Sequence, residues 1–211
     1  SEKGISFDIP TEPFQEYPDM PENKHEALFT IETNKLKDII SSLLYAINAE
    51  PTKPALNGAY FNFDQACIDF VATDGHRLVK ITKQNETNIQ KGFIIPKKYL
   101  NILNTFLEGQ KETSLIFSEN HVFSNNGKDV FYSKIIDEKF PNYNAVIPSE
   151  NSEKLTAQKT EMLNNIKAAS IATNKNTNQI SLNFSEGKVY FKSVNQPESK
   201  TVHAPVKTAE Y

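Results

Sequence analysis

Three stretches of the chain place apolar residues at the spacing of one helical face. The first predicts a helix at about residues 34–47, and the second predicts one at about residues 97–108 that ends at Gly109. The third begins near Thr160, which is an expected N-cap, as is Thr33 for the first helix. The apolar positions of the three predicted helices are Leu36, Ile40, Leu43 and Ile47, then Leu100, Leu103 and Leu107, then Met162, Ile166 and Ala169.

Between the predicted helices, apolar and polar residues alternate in short segments, which is the pattern of half-buried strands. Residues 59–63 and 68–72 alternate on either side of a short turn and predict one hairpin. Residues 115–123 (LIFSENHVF) and 182–190 (LNFSEGKVY) are similar to each other and predict two more hairpins. Strands joined by such short turns are antiparallel.

The order of these elements repeats along the chain. Segments that begin at Phe29, Phe93 and Leu155 each pass from a short strand into a helix, at spacings of 64 and 62 residues. A meander of strands follows each helix. The repeat predicts an α+β fold of strand–helix–meander units, with the helices on one face of antiparallel sheets.

Two repeat units form one domain in this interpretation. Residues 26–147 contain two complete units and predict a whole domain. Residues 1–25 predict the C-terminal strand and connector of a preceding domain, and residues 148–211 predict the N-terminal half of a following one. The chain is therefore expected to be a piece of a longer protein.

Composition narrows the class of protein. A formal net charge of -3 argues against a simple basic DNA-binding domain. No apolar run approaches the roughly 20 residues of a membrane helix, and no signal peptide is evident, so a cytoplasmic location without membrane contact is expected. Cys67 is the only cysteine, and nothing predicts a metal site, a cofactor site or an internal disulfide.

Residues 72–78 (ATDGHRL) are the candidate for chemistry. In an enzymatic interpretation, a hydrolase or transferase uses His76 as a general base oriented by Asp74, and Arg77 binds an anion. A second interpretation is a turn between strands made by Asp74 and Gly75, and a third is a binding site at that turn. The pattern favours the turn, because Asp74 and His76 are only two residues apart and no nucleophile motif accompanies them.

Lysines recur near the starts of the three predicted helices, and Lys53 lies in the loop after the first. As isolated charges, such lysines are usually solvated. Their recurrence in each unit indicates a common surface that could approach phosphates without reading sequence. No ladder of aromatic residues accompanies them, which disfavours stacking on single strands. The lysines near the helices are Lys35, Lys37, Lys97, Lys98, Lys159 and Lys167.

Several segments resemble the family of bacterial DNA polymerase III beta subunits, the sliding clamps. The resemblance runs in unbroken order over essentially the whole chain, and the combination is specific although each segment alone is weak. The segments are residues 56–58 (LNG), 71–78 (VATDGHRL), 93–98 (FIIPKK), 140–143 (FPNY), 146–148 (VIP), 169–174 (ASIATN) and 195–198 (NQPE).

The resemblance implies a non-catalytic processivity factor. In this family two subunits of three similar domains form a ring, with helices around a central hole that encloses double-stranded DNA and sheets outside. A homodimer is therefore expected only of the full-length subunit. The residues that the resemblance implies face DNA are Lys35, Lys37, Lys53, Lys97 and Lys98, and those implied at the seam between subunits are Ile171 and Ala172.

The resemblance also implies a hydrophobic pocket that receives short peptides of DNA polymerase III subunits, the clamp loader and repair proteins. Gly75 would allow close backbone approach, and Arg77 would place a planar fork at the rim. Ala145 departs from the family pattern, because many members have a basic residue there. The expected pocket residues are Leu56, Thr73, Gly75, His76, Arg77, Leu78, Pro141 and Val146.

Overall fold

The structure of the chain is a computed structural model. It describes residues 8–11, 13, 19–21, 27–48, 50, 52–151, 155–174, 176–185 and 188–193, and the backbone of 206–207. Most of the predicted connector in residues 1–25, and all of the 195–198 segment, lie outside the described residues. Internal contacts divide the chain into two compact units, of which the first ends at Val146 and the second begins at Ile147.

The described residues of the first unit form two four-stranded antiparallel sheets and two α-helices. Its elements are β1 (Ala27–Glu32), α1 (Thr33–Leu44), β2 (Gly58–Phe63), β3 (Cys67–Thr73), β4 (Leu78–Gln84), β5 (Gly92–Pro96), α2 (Lys97–Phe106), β6 (Glu112–Phe117), β7 (His121–Asn125) and β8 (Val130–Lys134). The strand orders are β1-β6-β7-β8 and β4-β3-β2-β5. The strand before each helix therefore pairs with the meander of the other repeat, which ties the two repeats into one domain.

Both helices bury their apolar faces in one core. Leu36, Ile40 and Leu43 of α1 are fully buried, as are Leu100 and Leu103 of α2, and the two helices contact each other. Full burial of side chains of this size contributes about 1.5–3 kcal/mol each before the entropy cost of ordering them. The predicted α+β fold, with helices packed on antiparallel sheets, is confirmed.

Aromatic side chains join the two sheets inside this core. Phe29 on β1 meets Phe63 on β2 edge to face, with ring centroids 5.4 Å apart. Phe93 on β5 stacks on Phe117 of β6 at 4.3 Å. Such pairs add about 0.5–1.5 kcal/mol beyond the area they bury, so they hold the sheets in a fixed relation.

A second, smaller apolar cluster lies on the other face of the β4-β3-β2-β5 sheet. Residues 136–146, which we call the covering segment, lie over this face. The Ile136 amide donates a hydrogen bond to the Ile94 carbonyl at 2.9 Å, and the Phe140 ring stacks on Tyr60 at 4.8 Å. The buried members of the cluster are Leu56, Val71, Ile94, Phe140 and Tyr143.

In its described residues, the second unit contains one α-helix and a three-stranded antiparallel sheet. Its core includes Ala169, Val189 and Phe191. None of the helices in the described ranges is long and apolar enough to cross a bilayer. The elements are α3 (Lys159–Ser170), β9 (Ile180–Ser185), β10 (Lys188–Ser193) and β11 (Val206–Lys207), in the sheet order β11-β10-β9.

The helix ends differ from the prediction. Thr33 is the first residue of α1 and not its N-cap, and its hydroxyl instead hydrogen-bonds the Thr113 hydroxyl at 2.8 Å. Thr160 lies inside α3, which begins one residue earlier. The α1 helix ends at Leu44, where a turn begins, and not at residue 47 as predicted. Ile47 is nevertheless buried in the core, as its apolar spacing predicted.

Candidate functional site

A cavity of about 490 Å³ opens beside the turn that joins β3 and β4. All of its lining residues belong to the first unit. They comprise the eight residues expected in the pocket, with Asn142 and Tyr143 in addition. The complete lining is Leu56, Thr73, Gly75, His76, Arg77, Leu78, Pro141, Asn142, Tyr143 and Val146. The structure therefore brings the eight expected residues together, while their role in peptide binding stays a prediction.

The rim of the cavity is a tight turn held by side-chain hydrogen bonds. The Asp74 Oδ1 atom accepts hydrogen bonds from the backbone amides of His76 and Arg77, both at 3.0 Å. The Thr73 hydroxyl accepts from the Gly75 amide at 3.1 Å and donates to the Arg77 carbonyl at 2.8 Å. Gly75 has a φ of +92°, a conformation that residues with a Cβ rarely adopt.

Arg77 is held at this rim from two directions. Its Nε donates to Asp74 Oδ2 at 2.7 Å, and its guanidinium carbon lies 4.4 Å from the centroid of the Tyr45 ring. The side-chain hydrogen bond from Arg77, with the two amide hydrogen bonds of the turn, holds the pKa of Asp74 far below its ordinary value. Asp74 therefore stays a carboxylate at any physiological pH.

The enzymatic interpretation of this turn is not favoured. Both carboxylate oxygens of Asp74 are occupied by the turn and by Arg77. In the part of the chain that the structure describes, no hydrogen bond joins Asp74 to the imidazole of His76, which is exposed. The carboxylate therefore does not orient His76 as a general base requires.

The wall of the cavity is apolar. Leu56 is 8% exposed and forms its buried side, while Leu78 is half-buried. Val146 ends a short 3-10 helix, Tyr143–Val146, and is 68% exposed. An exposed apolar side chain beside a cavity offers surface that a ligand can cover.

A polar cluster centred on the buried residues Asp69 and Tyr143 lies under the covering segment. The Tyr143 hydroxyl donates to Asp69 Oδ2 at 2.9 Å and accepts from Asn62 Nδ2 at 3.1 Å. Lys80 Nζ is 3.0 Å from the same Asp69 oxygen, and the Thr82 hydroxyl donates to Asp69 Oδ1 at 2.6 Å. Asp69 is only 6% exposed, so these partners replace the water it has lost.

The pKa values of this cluster follow from its contacts. Burial by itself would raise the pKa of Asp69, but the hydrogen bonds from Thr82, Lys80 and Tyr143 outweigh it and lower that pKa. Burial, aided by the Asp69 carboxylate, raises the pKa of Tyr143 to about 12. At neutral pH the pair is therefore an ionised acceptor and a neutral donor.

The sequence did not identify Asp69 or Tyr143 as site residues. Tyr143 belongs to the quoted segment 140–143, which was the available signal. Nothing in the alternation of β3 marks Asp69, because polar residues at that spacing usually face solvent.

The immediate surroundings of the five expected DNA-facing lysines differ from one another. Lys97 and Lys98 share an open depression of about 530 Å³ at the start of α2, together with Asn48, Asn57, Asn101 and Ile102. Lys35 pairs with Glu32 at 2.8 Å, and Lys37 is half-buried on α1. The Lys53 ammonium lies beside Gly75, 3.9 Å from where a Cβ would stand. Their contact with DNA stays a prediction.

The two expected seam residues lie at the end of α3. Ile171 is 89% exposed and directly follows the helix, and Ala172 is half-buried beside it. A large apolar side chain so exposed is consistent with a contact surface, and its role at a subunit seam stays a prediction. Among the described residues, no group of three or more His, Cys, Asp or Glu side chains is placed to hold a metal ion.

The strand before each helix pairs with the meander of the other repeat around a shared core, which defines an α+β domain built from two repeats. Comparison with known proteins identifies its family. The family model described as DNA polymerase III beta subunit, central domain, matches residues 30–142. The chain belongs to the DNA polymerase III beta subunit family.

Similar proteins support this assignment. The beta sliding clamp of Treponema pallidum is 29% identical over 187 residues, which are 88% of this chain and 50% of that protein. The beta sliding clamp of Haemophilus influenzae is 31% identical over 186 residues, again 50% of its length. A crystal structure of the DNA polymerase III subunit beta from Pseudomonas aeruginosa matches 99% of this chain and 58% of its own, with a TM-score of 0.84 and 26% identity. The chain spans about half the length of these curated relatives.

Proposed function

We propose that the chain is part of a sliding clamp, a processivity factor of DNA replication without catalytic activity of its own. The observation that carries this proposal is the cavity, because eight residues from three separate stretches of sequence line it. Family membership supports the same conclusion. A clamp acts by topology in the cytoplasm: a ring that encloses a duplex retains its partners there without covalent chemistry.

On the DNA side, the complete protein would form a homodimeric ring around double-stranded DNA. Lysines beside the helices would contact phosphates, which carry no sequence information. Lys97 and Lys98 are the best supported, because they share one open depression with three asparagines whose amides can also donate hydrogen bonds. Lys35, Lys37 and Lys53 would add to the positive surface.

On the partner side, the cavity would receive a short extended peptide of a DNA polymerase III subunit, the clamp loader or a repair protein. Apolar side chains would enter between Leu78, Pro141 and Val146, where burial is worth about 25 cal/mol per Å² before ordering costs. Arg77 is fixed by Asp74 and Tyr45 before binding. A preorganised rim lowers the entropy cost of capture.

Val146→Glu tests the peptide role. A charge on the cavity wall must be desolvated when an apolar side chain binds beside it, so affinity should fall about tenfold or more. The chain contains no tryptophan, so a short peptide with two leucines and one tryptophan reports its own binding by fluorescence. Because Val146 is 68% exposed, the variant should keep the stability of the parent chain.

Val130→Glu is the matched control, since Val130 is also an exposed valine but lies at the start of β8 outside the cavity. It should bind the peptide as the parent chain does. Equal affinity of the parent chain and the Val146 variant would contradict the proposal. So would unchanged binding of a peptide in which both leucines are replaced by alanine.

A further inference from the structure

The covering segment carries two walls of the cavity but has little backbone pairing of its own. Pro141 and Val146 belong to it, and its described ladder contact is a single bridge between Ile136 and Ile94. After Ile136, the position of the segment on the sheet depends on side-chain contacts. The position of the cavity walls therefore depends on what those side chains contact.

Apolar contacts fix the segment only in part. The Phe140 ring lies parallel to Tyr60 at an interplanar angle of 9°, and the Tyr143 ring meets Tyr60 at 60° with centroids 6.2 Å apart. Dispersion contacts of this kind are nearly indifferent to small sliding motions of the rings. They keep the segment on the sheet without choosing one register.

Polar contacts are directional and fix the register. The Tyr143 hydroxyl bridges Asp69 on β3 and Asn62 on β2. Lys80 on β4 joins Asp69 to the side chain of Asn144, whose Oδ1 is 3.1 Å from Lys80 Nζ. Three strands of the sheet therefore hold two consecutive residues of the covering segment, just before Val146.

We propose that Asp69 is a positioning residue of the cavity, which acts through Tyr143 to hold Pro141 and Val146 where a peptide can bind. This inference rests on the proposed function. A buried carboxylate is a costly way to cover a sheet, since an apolar side chain of similar size would pack there at least as well. What Asp69 adds is a single position for the hydroxyl of Tyr143, and with it a single shape of the cavity. The lowered pKa of Asp69 agrees with a carboxylate that these partners keep ionised.

The proposal makes a kinetic prediction. Without the hydroxyl, the covering segment samples several positions and only a fraction of molecules is ready to bind. The apparent affinity then falls by that fraction, and the fall appears in the association rate constant. The Tyr143 ring itself lines the cavity, but its hydroxyl is directed to Asp69 and Asn62 and not to the ligand. The ring therefore offers the bound peptide the same surface without the hydroxyl, and the dissociation rate constant stays near the parent value.

Tyr143→Phe is the sharpest variant, because it removes one oxygen atom and leaves Asp69 paired with Lys80 and Thr82. Peptide affinity should fall about tenfold, as expected for the loss of one hydrogen bond to a charged acceptor, and the loss should lie in association. The matched control is Tyr99→Phe, which removes another buried tyrosine hydroxyl on α2, away from the cavity. It should leave both rate constants unchanged.

Asp69→Asn and Asp69→Leu separate the roles of shape and hydrogen bonding. Asparagine keeps an oxygen that can accept from the Tyr143 hydroxyl and should retain most of the affinity, whereas leucine should lose it as Tyr143→Phe does. Parent-like association by Tyr143→Phe, or a loss confined to dissociation, would overturn the proposal.

Hydrogen exchange of the free protein distinguishes this inference from the proposed function. The amides of residues 142–146 should exchange faster in Tyr143→Phe than in the parent chain and in Tyr99→Phe, whether or not any peptide is present. Faster exchange in a protein that binds no peptide would refute the proposed function while supporting the positioning role of Asp69 and Tyr143. Unchanged exchange would overturn that positioning role alone.

Discussion

At Gly75 the backbone φ of +92° lies where a side chain strains the main chain. Space is not the constraint, because a Cβ there would approach only the Lys53 ammonium, at 3.9 Å. The cost of a substitution is therefore conformational, about 1–2 kcal/mol for an L-residue in a left-handed conformation. Relief of that strain would move the amides that Asp74 and Thr73 hold at the rim.

Gly75→Ala should lower the free energy of unfolding by about 1–2 kcal/mol and should also weaken peptide binding, because the rim relaxes. Gly127→Ala is its control: Gly127 has a φ of +86° with open space around it, in the turn between β7 and β8. The two variants should lose similar stability in urea unfolding. Peptide affinities that stay equal in both would show that the rim does not depend on this turn.

At the scale of elements, α2 is where a DNA contact would be made. Lys97 and Lys98 begin this helix, so their charges lie close to the positive end of its dipole and favour an anion there. Lys97 Nζ also donates to the Ile47 carbonyl at 3.2 Å, which restrains its side chain beside the depression. A phosphate at this position would meet donors already in place.

The double variant Lys97→Gln/Lys98→Gln should weaken duplex binding by the chain. It should also lower the slope of log affinity against log salt, by about one for each phosphate that the lysines no longer neutralise. The control is Lys128→Gln/Lys134→Gln, which removes the same charge from exposed positions of the β7–β8 hairpin. Duplexes of different sequence should give the same results. If the control variant reduced the slope as much, the start of α2 would not be the specific DNA contact surface.

The sequence predicted the elements because each buries a periodic set of apolar residues. Leu36, Leu100 and their helical neighbours show that burial directly. Helix starts were less predictable, since Thr33 hydrogen-bonds Thr113 across the sheet, and no local pattern reports a partner 80 residues away. The pairing of β1 with β6 is likewise a long-range outcome, although the repeat itself indicated that two units share one domain.

The candidate site divides in the same way. The eight expected residues belong to segments that were identified in the sequence, and all eight line one cavity. Each segment lies at a turn or connector, and the fold brings these to one end of a sheet. Asp69 lay outside those segments, and its role comes from Tyr143, which is 74 residues further along the chain. Arg77 is the only arginine of the sequence, but its contact with the Tyr45 ring follows from the fold and from no local pattern.

At the scale of the molecule, the proposed function requires that DNA and a partner peptide be held at the same time. The cavity and the depression at α2 share none of their lining residues. The cavity opens beside the covering segment, whereas α2 packs its apolar face into the main core. Lys53, which lies beside Gly75, is the expected DNA-facing residue closest to the cavity rim. If the proposed function holds, the two sites act independently, and Lys53 is the residue through which bound DNA would come nearest to the cavity rim.

Peptide affinity should therefore change by less than about twofold when the chain is saturated with duplex DNA, since independent sites have little coupling free energy. The effects of Val146→Glu on peptide binding and of Lys97→Gln/Lys98→Gln on DNA binding should appear unchanged in the combined variant, because substitutions that share no contact partners usually have additive effects. Titration of the tryptophan peptide with and without duplex measures the first, and the variant set measures the second. Strong competition between DNA and peptide would contradict the proposed function, in which both are held at once, and would place the DNA at the cavity. The variant Lys53→Gln then identifies the cause. If the duplex reaches the cavity rim through Lys53, DNA should compete with the peptide less strongly in this variant than in the parent chain.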